Sequence, residues 1–518
     1  MRCPLCQTCE QQTRWPVTLS QWPLFPLNIR LLVFEKLAQH SSHNENSTTP
    51  MKPSLARYAA VCKEWQAFFE KILYRRLVLK QTCLDEFDKV VRRRKGLVQH
   101  IWLRIELGTY SCPACMGFED PLRHTADETV NEALMKLFLI LSTWVKPDVT
   151  PHGGLTLEIS IYSPSDSQHN FSGDLHLGPD PFETEEDERQ RFRTHDPYHG
   201  WRQGRRLDRP NIAAISSLLT TISPEVREEL PSVKVVTSFI LRRQTRRALS
   251  TESLQKIFKS LPGLECINYE PWREFFRWPR YLQDPGYQNI ILTSLPETLK
   301  ALTIFEDFNE DYNIVHCFNY STREWLYPPE LVRTPNPSVG AALAYRSLSL
   351  ERFSASNMVD ANDFFRACEP NWAWDNLTSL TLTSRLLTLC KPHLLPINKM
   401  LVDAGTAALR MPHLRTLVIW NGMKRNACAF RYQVTANSTT LGWCGTWDLE
   451  LDIDVLDVWR NAALRYTKHE LSILASRNLN KQDIKSHAVA IRELDLREVI
   501  HPVSLEQILR ESGRYFYR

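Results

Sequence analysis

Thirteen cysteines are spread through 518 residues, and two short runs give them metal-ligand spacing: Cys3-Pro-Leu-Cys6 followed by Cys9, and Cys112-Pro-Ala-Cys115. Two thiolate pairs complete the four donors of a structural zinc ion, and His124 is a further donor near the second pair. The pairs stand about a hundred residues apart, without the compact spacing of zinc modules. A proline-closed turn with unbridged thiols is the preferred reading, so no metal and no cofactor is assigned.

Guanidinium groups are the second candidate chemistry. Arg92-Arg93-Arg94-Lys95, the run Arg202 to Arg209, and Arg242-Arg243 with Arg246-Arg247 are concentrations of charge suited to phosphate. Against this stand an acidic run, Glu183 to Glu188, and a net charge of only +4 from 63 basic and 59 acidic residues. Solvated helix faces, or pairing with those acids, are expected in preference to a nucleic-acid groove. Trp272, Phe275 and Trp278 beside Arg273 and Arg277 form an aromatic and cationic patch whose default role is packing. Asp452, Asp454 and Asp457 alternate with Leu451, Ile453, Leu456 and Val458, the pattern of an amphipathic element and not of a metal pair. A phosphate-cradling glycine loop, Gly-x-Ser-x-Gly, His-Glu-x-x-His and the kinase motifs are all missing, so no enzymatic activity is expected.

Binding by apolar side chains is better supported. After Pro26, the residues Ile29, Leu32, Val33 and Leu37 recur at three- and four-residue intervals and line one face of a short helix. From Leu55, the run LARYAAVCKEWQAFFE sets Leu55, Ala59, Val61, Cys62, Trp65, Phe68 and Phe69 on a wide apolar stripe, with Arg57, Lys63, Glu64 and Glu70 outside it. That is more apolar surface than a helical hairpin buries alone, so another polypeptide is expected to cover it.

Pro26, Ile29, Val33 and Leu37, then Ala59-Ala60-Val61-Cys62-Lys63 with Trp65, then Arg75-Arg76-Leu77, give residues 21–80 a pattern that resembles the F-box. The resemblance implies a three-helix module that docks on the Skp adaptor of a cullin-RING ubiquitin ligase through Pro26, Ile29, Val33, Leu37, Val61 and Trp65. Two departures are visible: Asn28 replaces the usual acidic residue, and a polar loop over residues 40–54 lengthens the first connection. Closing a longer surface loop adds little entropy cost, so the packing survives such an insertion.

Residues 1–20 lack the apolar centre of a secretory signal and read as a flexible tail, and the best apolar run, LMKLFLILSTWV from Leu134, is short and carries Lys136. An intracellular protein, cytoplasmic or nuclear, is expected, with no membrane and no nucleic-acid partner.

Beyond the helical module an apolar signature of spacing i, i+3, i+5 recurs at Leu264-Ile267-Tyr269, Leu299-Leu302-Ile304, Tyr345-Leu348-Leu350, Leu377-Leu380-Leu382, Leu414-Leu417-Ile419 and Ile491-Leu494-Leu496. Each ends in the alternation of a half-buried strand. Fainter copies are Tyr74-Leu77-Leu79, Val98-Ile101-Leu103, Leu155-Leu157-Ile159 and Val233-Val236-Ser238. Helical patterns lie between them at Thr251 to Leu261, Asp360 to Cys368 and Asn398 to Met411, and a last helix is expected to be capped by Ser504 and Gln507. Strand and helix in alternation is the logic of leucine-rich repeats, although the intervals here exceed the roughly 20 to 29 residues of ordinary ones.

The segments VRRRKGLVQHIWLRIEL, LTLEISIYSPSDSQH, FILRRQTRRALS, INYEPWREF, LKALTIFEDFNEDYN and LTSLTLTSRLL make most of the chain similar to a large family of F-box proteins from filamentous fungi. The expected fold is thus α/β: an N-terminal F-box-like module over 21–80, then an irregular leucine-rich-repeat-like solenoid over 81–518 with long loops at 163–210 and 305–340. The resemblance implies a substrate receptor bound to the Skp adaptor and a cullin scaffold, with an unknown protein substrate. A repeat scaffold or interaction protein without a ligase role is the alternative.

Overall fold

Nine strands hydrogen-bond side by side, all parallel, in the order in which they occur along the chain: β1 (Arg76–Lys80), β2 (His100–Glu106), β3 (Leu155–Tyr162), β4 (Val236–Leu241), β5 (Cys266–Tyr269), β6 (Ala301–Phe305), β7 (Arg352–Ser356), β8 (Ser379–Thr383) and β9 (Thr416–Met423). The sheet turns antiparallel at β10 (Asn426–Val434) and β11 (Thr439–Gly445), and β12 (Leu471–Ile473) and β13 (Arg477–Asn478) both pair in parallel with β11. These elements belong to a computed structural model that describes residues 19–43, 55–111, 122–145, 154–171, 195–224, 229–274, 277–309, 312, 318–319, 324–325, 334–388 and 394–512. By internal contacts the chain divides into two compact units, Met1–Arg75 and Arg76–Arg518. The fold is mixed α/β, with a large, mostly parallel sheet.

Register explains why the strands stack. Leu77, Ile101, Leu157, Phe239, Ile267, Leu302, Phe353, Leu380 and Leu417 are successive partners across β1 to β9, and all but half-buried Leu77 are almost wholly shielded from solvent. A parallel strand cannot turn straight back, so each connection is long, and several carry a helix that covers this row. Phe239 meets Phe258 of the helix Thr251–Lys259 at 5.3 Å between ring centroids, Phe353 meets Phe364 of Ala361–Arg366 at 5.9 Å, and Phe430 meets Trp459 of Ile453–Tyr466 at 5.4 Å. Helix starts follow capping chemistry. Ser250 accepts from the Ser253 amide at 3.3 Å, and Asp360 from the Asn362 amide at 2.9 Å.

The last two helices, His487–Glu493 and Pro502–Ser512, lie on the opposite face of the sheet. There Phe305, Val418, Trp420, Ala427 and Ala429 form one cluster with Ile484, Ala488, Ile491, Val499 and Ile508.

The structure moves several sequence assignments. The strand Arg76–Lys80 pairs with β2, so the first unit ends at Arg75 and not at residue 80. Tyr345 lies in the helix Pro337–Ser347 and the strand opens only at Arg352, while Ile491 lies in a helix and Leu496 follows a turn with Asp495 at a φ of 52°. The i, i+3, i+5 spacing suits the last turn of a helix as well as a strand entrance, and in these two copies the helix took it. In β4 the inward residues are Phe239 and Leu241, whereas Ser238 faces the other side. Residues 163–210 are not all loop: a short antiparallel ribbon joins Trp201–Arg202 to Arg205–Arg206.

Candidate functional site

The first unit is built around Phe34. Pro26, which lacks an N–H, opens the helix α1 (Leu27–His43), and its carbonyl accepts from the amides of Ile29 at 3.0 Å and Arg30 at 3.1 Å. One turn on, Phe34 is 1% exposed, with ring centroids of Trp22, Trp65, Phe68 and Phe69 at 5.4, 5.2, 4.8 and 5.6 Å. Tyr58, on α2 (Leu55–Ala59), adds its ring to Phe69 of α3 (Lys63–Arg75) at 5.2 Å. Polar bonds fix the same contact: Glu64 accepts from the Trp22 indole at 2.9 Å and pairs with Arg30.

With the inner side filled by aromatic rings, aliphatic residues remain outside. Ile29 is 41% exposed, Leu32 50% and Val61 38%, and Leu24, Phe25, Leu27, Leu31 and Ile72 are exposed as well. Among the six residues singled out in the sequence, Pro26, Ile29 and Val61 are exposed and Val33, Leu37 and Trp65 are half-buried. Ile29, Leu32 and Val33 sit at i, i+3 and i+4 and share one outward face of α1. Trp65 is divided between roles: it meets Trp22, Phe34, Tyr58 and Phe69 at 5.2 to 6.0 Å, so much of it belongs to the unit's own core. Phe34 carries no periodic signal that sets it apart, since Leu27 and Leu31, seven and three residues before it, are exposed. Exposed apolar side chains of this kind suit docking of a protein surface.

In the second unit the arginines after β4 are not solvated, and the run Glu183 to Glu188 lies outside the described residues. Arg242, Arg243, Arg246 and Arg247 are between 1% and 4% exposed. Arg247 grips Asp166 with two bonds, at 2.6 and 2.8 Å, and Arg242 donates to Glu158 at 2.6 Å, while Glu158 also bonds His100 at 2.9 Å. Arg243 is bidentate on Glu511, at 3.0 and 2.7 Å, and pairs with Asp307, whose other oxygen meets His487 at 3.0 Å. Arg246 reaches the same Glu511 at 2.8 Å and lies over Trp272, which donates its indole N–H to the Arg243 carbonyl. Arg273 pairs with Glu306 at 3.4 Å.

Burial alone would raise the Glu511 carboxyl, but Arg243 and Arg246 overrule it and hold it at about 2. Asp307 is likewise kept well below the carboxylate range by Arg243 and His487 against its own burial. Glu270 goes the other way. Burial raises it, although Ser504 donates at 2.5 Å and the His501 amide at 2.6 Å. Ser504 therefore anchors the terminal helix to Glu270, the residue after β5, and does not cap it, because that helix starts two residues earlier, at Pro502. Burial, helped by Arg242, lowers His501 to about 4. This charged centre serves to fasten the terminal helices.

Residues 294–501 match a family model described as a family of unknown function, DUF6546. A search of the curated proteins finds no match. The matched span contains Asp307 and His487 but stops short of Arg243 and Glu511.

The remaining candidates separate by position. Cys3, Cys6, Cys9, Cys112 and Cys115 lie outside the described residues, as does Phe275. Among the described residues no group of three His, Cys, Asp or Glu side chains is placed to hold a metal, and Cys62, Cys83, Cys266, Cys368, Cys428 and Cys444 carry free thiols. Asp452 caps Ile453–Tyr466, accepting from the Ile453 amide at 2.6 Å. No helix among the described residues is long and apolar enough to cross a membrane.

Proposed function

We propose that the chain is the substrate-recognition subunit of an SCF-type ubiquitin ligase. The first unit acts as an F-box-like module on the Skp adaptor, and the second unit, read as an irregular leucine-rich-repeat-like solenoid, holds a protein substrate. The observation that carries this reading is the exposed set Ile29, Leu32 and Val61 on a unit whose own core is already complete around Phe34. An aliphatic anchor contributes about 1.5 to 3 kcal/mol when a partner buries it, before ordering costs. The unbroken parallel order of β1 to β9 supports the repeat reading, since each strand and its connection would add one layer to a common core.

Ubiquitin transfer then follows from proximity. A receptor that holds its target beside a separately recruited conjugating enzyme raises the effective concentration of target lysines, and no catalytic side chain of its own is required. The cullin scaffold is met through the adaptor, and the setting is intracellular. Asn28 and the segment 40–54 favour the second reading, an interaction scaffold that does not bind the adaptor. Co-purification with the Skp adaptor decides between them. Ile29→Asp combined with Val61→Asp leaves Phe34 and Phe69 untouched and should remove about 3 to 6 kcal/mol of docking energy, abolishing recovery of the adaptor. Unchanged recovery with the double variant, or none with the unaltered chain, leaves the scaffold reading standing.

A further inference from the structure

The strands β6 to β9 are entered in the same way. The residue before each of them donates its amide to the carbonyl of the equivalent residue one strand back: Lys300 to Glu265 at 2.9 Å, Glu351 to Lys300 at 2.8 Å, Thr378 to Glu351 at 2.8 Å and Arg415 to Thr378 at 2.8 Å. Like backbone geometry sets these five side chains in one file along the edge of the sheet where the strands begin. Neighbours of opposite charge in the file meet directly, as Lys300 and Glu265 do at 2.8 Å. Glu351 and Arg415 are kept apart by Thr378, which is short and donates its hydroxyl to the Glu351 carbonyl at 2.9 Å. Two strand spacings put their Cα atoms about 9.5 Å apart.

A cavity of about 380 Å³ lies at this interruption of the file. Glu351, Thr378 and Arg415 line it with Leu414, Val434 and Tyr466, whose ring is fixed where its hydroxyl donates to the Leu409 carbonyl at 2.6 Å. Asn376 and His413 line it as well and are exposed, so solvent reaches it. Neither the Glu351 carboxylate nor the Arg415 guanidinium has a hydrogen-bond or ion-pair partner among the described residues. Lys300, which Glu351 influences, already has its ammonium on Glu265. One cavity thus presents an unpaired anion and an unpaired cation, with apolar wall between them. We propose that it binds a small zwitterion, a free α-amino acid, with the ammonium on Glu351, the carboxylate on Arg415 and the side chain against Leu414, Val434 and Tyr466. The volume lies within the range of small-molecule sites. A phosphate ester would meet Glu351 with like charge, and a neutral ligand would leave both ions without a counter-charge. The site requires no adaptor and goes beyond the ligase reading.

Isothermal titration calorimetry of the full chain tests it, with the common free α-amino acids as probes, each beside its N-acetyl and its carboxamide derivative. At least one free amino acid should bind, more weakly as salt is raised, and either blocked form should bind at least tenfold less tightly. Glu351→Gln and Arg415→Gln should each reproduce that loss, whereas Glu265→Gln, in the same file but outside the cavity, should keep full affinity. Because the Glu351 and Arg415 side chains hold no partner in the fold, their two variants should keep the urea midpoint of the unaltered chain. No heat from any free amino acid, blocked forms that bind equally well, or affinity retained by either cavity variant would overturn the assignment. Adaptor recovery by both variants should equal that of the unaltered chain, so a failure here is distinguishable from a failure of the ligase reading.

Discussion

At the scale of residues, the decisive feature of the second unit is a carboxylate shared by two arginines. Glu511 meets Arg243 and Arg246 in a site where all three are 6% exposed or less. Burying the pair costs desolvation energy, so the pair itself need add little, but removing one partner strands the other charge. Glu511→Ala is expected to cost about 3 to 5 kcal/mol, read as a shift in the urea midpoint at constant slope. Acid should act through two groups with the same sign. A Glu511 carboxyl held at about 2 lies below its unfolded value, so its contribution is present at neutral pH and is lost as pH falls from the ordinary carboxylate range towards 2. His501, lowered to about 4, is kept neutral by the fold, and its contribution is lost earlier, between the ordinary imidazole value and 4. Raised Glu270 opposes both, because protonation suits its buried site. His501→Asn keeps an acceptor near the Val503 amide and should flatten the decline of stability above pH 4, measured by chemical unfolding across pH.

At the scale of elements, close approach of helices does what side-chain size alone does not. Gly405 lies in the helix Leu394–Ala408, and a Cβ there would come within 2.5 Å of Val458 Cγ1 and 3.2 Å of the Trp459 indole nitrogen on Ile453–Tyr466. The same two helices are tied where Trp459 donates to the Leu401 carbonyl at 3.1 Å. Gly405→Leu should therefore push them apart and cost about 1 to 3 kcal/mol, whereas Gly96→Ala, with nothing within 4 Å of the added carbon, should be nearly neutral. Thermal unfolding of the two variants beside the unaltered chain checks the contrast. In the first unit the analogous organising contact is aromatic, with Phe34 as the common neighbour of Trp22, Trp65, Phe68 and Phe69.

At the scale of the molecule, the second unit is closed by its own end. The terminal helices seal Phe305, Val418 and Trp420 and supply Glu511 and His487 to the charged centre, so their residues connect to partners as far as 268 positions away. Deleting 484–518 should uncover this apolar surface and leave Arg243, Arg246 and Asp307 short of partners. The expected result is dye binding to exposed apolar surface and loss of a cooperative transition in the second unit. A truncated chain that still unfolds sharply at the original midpoint would show the segment to be an appendage.

What the sequence by itself determined is every property that leaves a local period. A strand with one buried face repeats every second residue, so Leu264-Ile267-Tyr269, Leu299-Leu302-Ile304, Leu377-Leu380-Leu382 and Leu414-Leu417-Ile419 were legible, as were the helices introduced by Ser250 and Asp360. Tyr345-Leu348-Leu350 misled because a helix end and a strand entrance leave the same imprint over so few residues. Tertiary structure alone decided the environment of Arg242 to Arg247. Nothing near them in sequence announces Glu158, Asp166, Asp307 or Glu511, and a guanidinium is soluble on a surface or stable in a core depending on whether distant carboxylates arrive to meet it.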